Sequence, residues 1–357
     1  MGVKEIVCLL QMAASLPGGN VSDPGMAMAV VQNGEPVYTN FCGLSDLNEK
    51  TQIDEHTRFC LASCSKQFTA VAILQLRDRG VLSLDDEIRK WFPEYTNSVW
   101  EGVTIRHFLS HSSGLPHDRS YLPREKRIFA DDELAVEFFQ KIDNALFPSG
   151  TAYDYSNPTF TLLGKLIERA SGMEFEEYMH RYIFSPAEMN ETAYFNPKSR
   201  MDDESHGYEQ VDGKWIECDY GEETFYATRP DGALYTCLQD AMVWMPALLG
   251  GKILSINSLR EAWTSFVQVG GSPWCNYNNR SGTSYGLGWF IDECGSSTMI
   301  YHTGENGGYS TFMAHFPSDN IQIIVLSNRS DWDKEGLIQG LRSCKTDADC
   351  ANFFSVL

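Results

Sequence analysis

At 357 residues, with 43% hydrophobic and 21% charged side chains, the chain is long enough to bury a sizeable core and too apolar to be disordered. Its 48 acidic and 28 basic side chains leave a formal net charge of -20, which repels nucleic acid and anionic membranes alike. No apolar run approaches the roughly 18 residues needed to cross a bilayer.

Near the N-terminus, Lys4 precedes Ile6-Val7-Cys8-Leu9-Leu10 in the outline of a signal peptide. Gln11 interrupts that apolar stretch and Glu5 offsets the single lysine, so an ordinary first helix is predicted. Two strands follow, Met26–Gln32 and Pro36–Phe41, joined by an Asn33-Gly34 turn. The short apolar run Phe59-Cys60-Leu61-Ala62 leads into Ser63-Cys64-Ser65-Lys66. From Ser63 an amphipathic helix is predicted through Phe68, Val71, Ile73, Leu74 and Leu76, stopping at Gly80.

Residues 83 to 260 read as helical with long loops. Ser83 is placed to cap a helix that Pro93 ends, and Thr104 one that Gly114 ends. Asn157-Pro158 starts another, with Asn as cap and Pro in the first turn, and Phe160, Leu163, Ile167 and Ala170 line one face up to Gly172. After about residue 283 the period returns to two. Tyr285–Ile291, Thr298–His302, Ser310–His315 and Ile321–Ser327 are predicted strands, and a last helix begins near Asp333. Strands at both ends with helices between predict one sheet built from both termini. The expected division is 1–82 with 261–357 as a sheet domain and 83–260 as a mainly helical one, with a cleft between them.

Three separated segments carry chemistry. Ser63 and Lys66 are three apart on a helix and so share a face, where an amine can take the proton of a hydroxyl nucleophile. Tyr155-Ser156-Asn157 sits in the loop entering a helix. Its phenol is a candidate acid or base and its amide a candidate holder of a substrate carbonyl. His302-Thr303-Gly304 ends a predicted strand before the Gly307-Gly308 turn.

This set resembles the serine β-lactamase and penicillin-recognising hydrolase superfamily, and its Tyr-x-Asn second motif resembles the class C branch. That branch also holds D-alanyl carboxypeptidases, D-aminopeptidases and esterases. Further segments extend the likeness: Thr104 to Pro116, Phe147-Pro-Ser-Gly150, Phe184 to Met189, Tyr285-Gly-Leu-Gly-Trp289 and Val325 to Arg329. The resemblance implies an α/β fold, with an antiparallel sheet from both chain ends, flanking helices and a mostly helical centre. It makes Ser63 the nucleophile, Lys66 its proton partner and Tyr155 the proton relay, and either Lys66 or a Tyr155 phenolate can be the base. The backbone N–H groups of Ser63 and Glu305 would form the oxyanion hole. Asn157, His302, Thr303 and Gly304 would contact substrate, and neither metal nor cofactor is implied.

Two departures set the expected substrate. Penicillin-active members usually carry Lys-Thr-Gly as the third motif. Here His302 replaces the lysine, and a neutral imidazole attracts a carboxylate far less. Glu305 follows where relatives with this histidine often have glycine, and its charge disfavours anions and favours a free amine. The expectation is a serine hydrolase forming an acyl-enzyme on a small ester, or on a D-amino-acid amide or peptide. The alternatives are a β-lactamase or D-Ala-D-Ala carboxypeptidase, an acyltransferase, and a non-catalytic scaffold of the same fold.

Other motifs read as structural. Gly282-Thr283-Ser284-Tyr285-Gly286 matches a nucleophile elbow but lacks the preceding strand and following helix. His107 and His111 have metal-ligand spacing without a third ligand. Glu217, Asp219, Glu222 and Glu223 read as a solvated acidic loop. Of ten cysteines, Cys60, Cys64 and Cys237 lie where a thiol packs as a small hydrophobe, and Cys344 and Cys350 are spaced for a local bridge. Reduced thiols and a cytoplasmic home are expected.

Overall fold

The computed structural model describes residues 2–14, 22–116, 131–196, 201–218, 228–270, 281–295 and 297–343. An eight-stranded antiparallel sheet runs in the order Val267–Gln268, Thr283–Tyr285, Phe290–Cys294, Ser297–Asn306, Tyr309–Phe316, Ile321–Ser327, Met26–Gln32, Glu35–Cys42. The N-terminal hairpin thus adds to the C-terminal strands, with Met26 opposite Ser327 and Gln32 opposite Ile321. The predicted sheet from both chain ends is present.

Tyr309–Phe316 and Ile321–Ser327 are buried at every position because both faces of the sheet are covered. Met26, Met28 and Val30 face one way, into a cluster with Ile6, Leu9 and Leu10 of the first helix (Val3–Ala14) and Leu337, Ile338 and Leu341 of the last (Lys334–Ser343). Ala27 and Ala29 face the other way, into the larger core with the helix Lys66–Asp78 and the helix Leu238–Leu249. There Phe68 stacks on Trp244 with ring centroids 4.1 Å apart. The alternation of period two is therefore kept while the polar face is lost, which is why these strands read as nearly continuous apolar runs.

The sequence reading needs three corrections. Tyr285–Ile291 is two strands, because Gly286 to Trp289 turn the chain, and Gly288 (φ +95°) lies where a Cβ would be 2.6 Å from the Ala70 Cβ. The helix placed between Ser83 and Pro93 shrinks to Ile88–Trp91. The cap of the helix Asn157–Ser171 is Ser156, one residue earlier than expected. Asp219, Glu222, Glu223, Cys344 and Cys350 lie outside the described residues.

Candidate active site

Ser63 sits on a single 3-10 turn, Ala62–Ser65, that runs directly into the helix Lys66–Asp78. The turn is fixed from several sides. Leu61 N–H donates to Leu234 O (2.7 Å), Thr311 Oγ1 donates to Leu61 O (2.9 Å), and Cys64 Sγ donates to His302 O (3.2 Å). Ala62 has φ +46°, a left-handed conformation that costs a non-glycine residue roughly 1–3 kcal/mol. These anchors hold the strain immediately before the candidate nucleophile. On the strand Ser297–Asn306, Gly304 allows the close approach, since a Cβ there would stand 2.2 Å from Leu61 O.

Lys66 is wholly buried, and its Nζ donates to Ser63 Oγ (3.1 Å), Asn157 Oδ1 (2.7 Å) and the backbone O of Asp231 (2.7 Å). A three-donor ammonium is thereby matched by three acceptors, one of them the candidate nucleophile. Nζ also stands 4.9 Å from the Tyr155 ring centroid and 5.7 Å from that of Phe160. The Asn157 amide is thus engaged with a residue 91 positions away, leaving the capping position to Ser156.

The Tyr155-Ser156-Asn157 segment is shaped by His111, a residue the sequence reading set aside. His111 O accepts from Asp154 N–H (2.9 Å), His111 Nδ1 accepts from Ser156 N–H (3.1 Å), and its ring lies 4.1 Å from that of Tyr155. With Nδ1 accepting, the neutral ring carries its proton on Nε2. Burial, then the charge of Lys66, holds the His111 pKa well below the usual imidazole range. The signal was available, because His111 lies inside the Thr104 to Pro116 segment. His107, its supposed metal partner, instead completes a capping box with Thr104.

The third motif divides. His302 is wholly buried behind the site, its Nδ1–H donating to Thr303 O (2.6 Å) and its Nε2 accepting from Tyr285 OH (3.0 Å). Burial and then the charge of Lys66 push its pKa down to about 3. Thr303 and Gly304 are buried too, while Glu305 is exposed and lines a cavity of about 490 Å³ together with Ser63 and Asn157. Glu305 does not present a lone charge, since Lys334 Nζ lies 2.5 Å from its Oε1. Glu209, on the strand Tyr208–Val211, adds a carboxylate to the same lining, which Asp231 also borders, its own carboxylate being buried and bonded by Thr161 Oγ1 (3.2 Å). Among the described residues lining this cavity there is no lysine or arginine. Ser284, the elbow candidate, is buried in the strand Thr283–Tyr285 with its Oγ directed at Ile291 O (3.4 Å).

A buried lysine bonded to a serine hydroxyl at the start of a helix, beside a sheet built from both termini, defines a class. The chain belongs to the Beta-lactamase family, whose sequence profile matches residues 19–342, and the family is consistent with serine hydrolase activity. Among its relatives is Penicillin-binding protein 4* of Bacillus subtilis (strain 168), 29% identical over 314 residues, covering 84% of this chain and 67% of the relative. Protein flp of Staphylococcus aureus (strain N315) is 24% identical over 310 residues, covering 85% of this chain and 59% of that protein. The chain thus spans only about three fifths to two thirds of these relatives' lengths. The octameric penicillin-binding protein homologue from Pyrococcus abyssi superposes with a TM-score of 0.77 at 26% identity, over 92% of this chain and 74% of that one. The penicillin binding protein from Bacillus halodurans gives 0.74 at 24% identity, over 94% and 97%, a likeness of fold.

Proposed function

We propose that the protein is a serine hydrolase that cleaves a small ester or a D-amino-acid amide bearing a free amine, through an acyl-enzyme on Ser63. The observation that carries this reading is the 3.1 Å contact between Lys66 Nζ and Ser63 Oγ, with the lysine wholly buried. Ser63 Oγ attacks the carbonyl carbon as its proton passes either to Lys66, which must first give up one proton to act as a neutral amine, or to a Tyr155 phenolate held beside a Lys66 that stays charged. The tetrahedral oxyanion is held by the backbone N–H groups of Ser63 and Glu305. Collapse expels the alcohol or amine, which takes the proton back. Water then attacks the ester carbonyl, gives its own proton to the same base, and releases the acid with Ser63 restored. The working cleft lies between the sheet and the helical region, where Ser63, Asn157 and Glu305 meet.

Carboxylates in the cavity lining support an amine-bearing substrate. Glu209 favours a cation, and the pairing of Glu305 with Lys334 weakens the contribution first assigned to Glu305. The same charges count against β-lactams and D-Ala-D-Ala peptides, whose free carboxylate needs a cation. The names of the relatives favour that second reading.

The test is intact-mass labelling with a fluorophosphonate, followed by turnover of p-nitrophenyl acetate, a D-alanine anilide and a chromogenic cephalosporin. Labelling of wild type and not of Ser63→Ala supports the reading, as does faster turnover of ester or anilide. Tyr155→Phe is expected to lose turnover of both. Absence of labelling points to a non-catalytic scaffold, and prompt cephalosporin cleavage overturns the substrate assignment.

A further inference from the structure

The backbone segment from Thr228 to Gly232 passes between two helices and supplies acceptors to both. Pro230 O accepts from Thr69 Oγ1 (2.7 Å), and Asp231 O accepts from Lys66 Nζ (2.7 Å) on the helix Lys66–Asp78. On the opposite side, Thr161 Oγ1 donates to Asp231 Oδ1 (3.2 Å) from the helix Asn157–Ser171. Pro230 rests on Gly164 of that helix, where a Cβ would lie 2.1 Å from the proline Cγ. The segment therefore has no slack on its inner side, and its outer end is tied by Arg229.

Arg229 takes both oxygens of one buried carboxylate. Its backbone N–H donates to Asp132 Oδ1 (3.0 Å) and its Nε to Asp132 Oδ2 (2.7 Å), while Nη1 reaches Glu176 Oε1 (2.9 Å). Asp132 is 2% exposed and opens the helix Asp132–Phe139. Burial raises the Asp132 pKa to about 7 against the opposing charge of Arg229, with Asp231 adding to the rise. Arg229 itself is shifted upward, chiefly by Asp132 and Glu176 against the cost of its own burial. Both shifts are upward, so burial works against the Asp132 charge while the two carboxylates hold the Arg229 charge in place. Two aligned donors on one carboxylate describe a charged, attractive pair that offsets a large desolvation cost.

We infer that Arg229 is a positioning residue for Lys66, fixing through Pro230 and Asp231 the carbonyl that the lysine ammonium needs as its third acceptor. The inference rests on the reading of Lys66 as the proton partner of Ser63. Arg229 touches neither the serine nor the lysine. It acts by denying Asp231 O the freedom to leave a 2.7 Å bond, and a shift of about 1 Å ends that bond.

The experiment measures the fluorophosphonate labelling rate of Ser63 against pH, with the melting temperature of each variant, for wild type, Arg229→Gln, Arg229→Lys and Glu176→Gln. Arg229→Gln is expected to label at least about tenfold more slowly and to move the midpoint of the pH–rate profile by half a unit or more. Arg229→Lys restores part of both, and Glu176→Gln, at the exposed end of the clamp, shows a two- to threefold loss. A purely structural role lowers the melting temperature and leaves the profile midpoint in place, and that result overturns the inference. Should Arg229→Gln fail to fold, unmoved profiles in Arg229→Lys and Glu176→Gln overturn it equally. If wild type itself is not labelled, the reading of Ser63 and Lys66 falls and takes the clamp with it. Labelled wild type with unmoved variants removes the clamp alone.

Discussion

Gly304→Ala tests whether the approach of the third motif to the serine turn is functional or merely compact. A Cβ at 304 would stand 2.2 Å from Leu61 O, 2.4 Å from Thr311 Oγ1 and 3.1 Å from the Ala62 Cβ. A carbon and a carbonyl oxygen settle at about 3.3 Å or more, so turn and strand must separate by roughly 1 Å. The Thr311 to Leu61 hydrogen bond (2.9 Å) lies in that gap and is lost or stretched. Overpacking of this kind costs about 1–3 kcal/mol of stability. The larger effect falls on chemistry, because the movement carries Ser63 away from Glu305, its expected partner in the oxyanion hole. A displacement of about 1 Å costs on the order of a hundredfold in rate. The assay is the second-order labelling rate of Ser63 per folded molecule, with melting temperature measured in parallel. Gly34→Ala is the control, because φ +84° in the hairpin turn strains alanine while nothing lies within 4 Å of the added carbon. It should lower stability and leave labelling unchanged. Wild-type labelling by Gly304→Ala would refute the reasoning.

Asn157→Ala removes one of three acceptors from a buried ammonium, a charge-assisted bond worth about 1.5–3 kcal/mol, so Ser63 labelling should slow by about 10- to 150-fold. Ser156 and not Asn157 holds the N-cap position, so any fall in melting temperature reports the lost bond to Lys66, and a drop with normal labelling would reverse the assignment. Glu305→Gln frees Lys334 from its carboxylate, so KM for a carboxylate-bearing peptide should fall about two- to fivefold, and KM for the D-alanine anilide should not fall with it. The His315 imidazole, buried beside Trp263 on the same face of the sheet as Thr311, is pushed down by burial from the ordinary 6.5 of the unfolded chain to about 4. The unfolded chain therefore takes up this proton first as pH drops, and the stability His315 contributes above pH 6.5 is lost toward pH 4. Urea unfolding of wild type should lose about 2 kcal/mol more than His315→Gln between pH 7 and 5, and equal losses would show that the ring is not held neutral.

Much of this arrangement was legible because its logic is local. Ser63 and Lys66 are weak by spacing alone and stand out once Tyr155-Ser156-Asn157 and His302-Thr303-Gly304 follow downstream, and the sheet shows in strands of period two at both chain ends. What escaped depends on partners distant in sequence. The Tyr285–Ile291 run looks like one strand because its apolar residues alternate, yet Gly288 is drawn into a turn by the helix surface at Ala70. Asn157 has a cap's identity and neighbours but is claimed by Lys66 instead. Asp231 acts through its backbone carbonyl, which no side chain advertises. Glu209 reads as one more exposed carboxylate until the hairpin Tyr208–Glu217 brings it to the cavity.

The charges around Ser63 explain how a third motif can lose its lysine without leaving the site unbalanced. A second ammonium at position 302 would sit in the aromatic pocket formed with Tyr285, Phe290 and Tyr155. Burial there penalises any charge, and Lys66 adds repulsion. The imidazole escapes both by remaining neutral, its Nδ1–H donating a hydrogen bond to Thr303 O and its Nε2 accepting one from the Tyr285 O–H. Its two nitrogens are then fully used, so His302 has no capacity left for shuttling a proton near neutral pH. His111 is neutral for the same two reasons and is spent on ordering the Tyr155 loop. With both histidines removed from proton transfer, the acceptors proposed for the Ser63 proton are Lys66 as a neutral amine and Tyr155 as a phenolate. It follows that His302→Lys should not confer cephalosporin turnover by itself. The new ammonium would have to displace the Tyr285 contact at a buried position that is not part of the cavity lining, where a substrate carboxylate would need it.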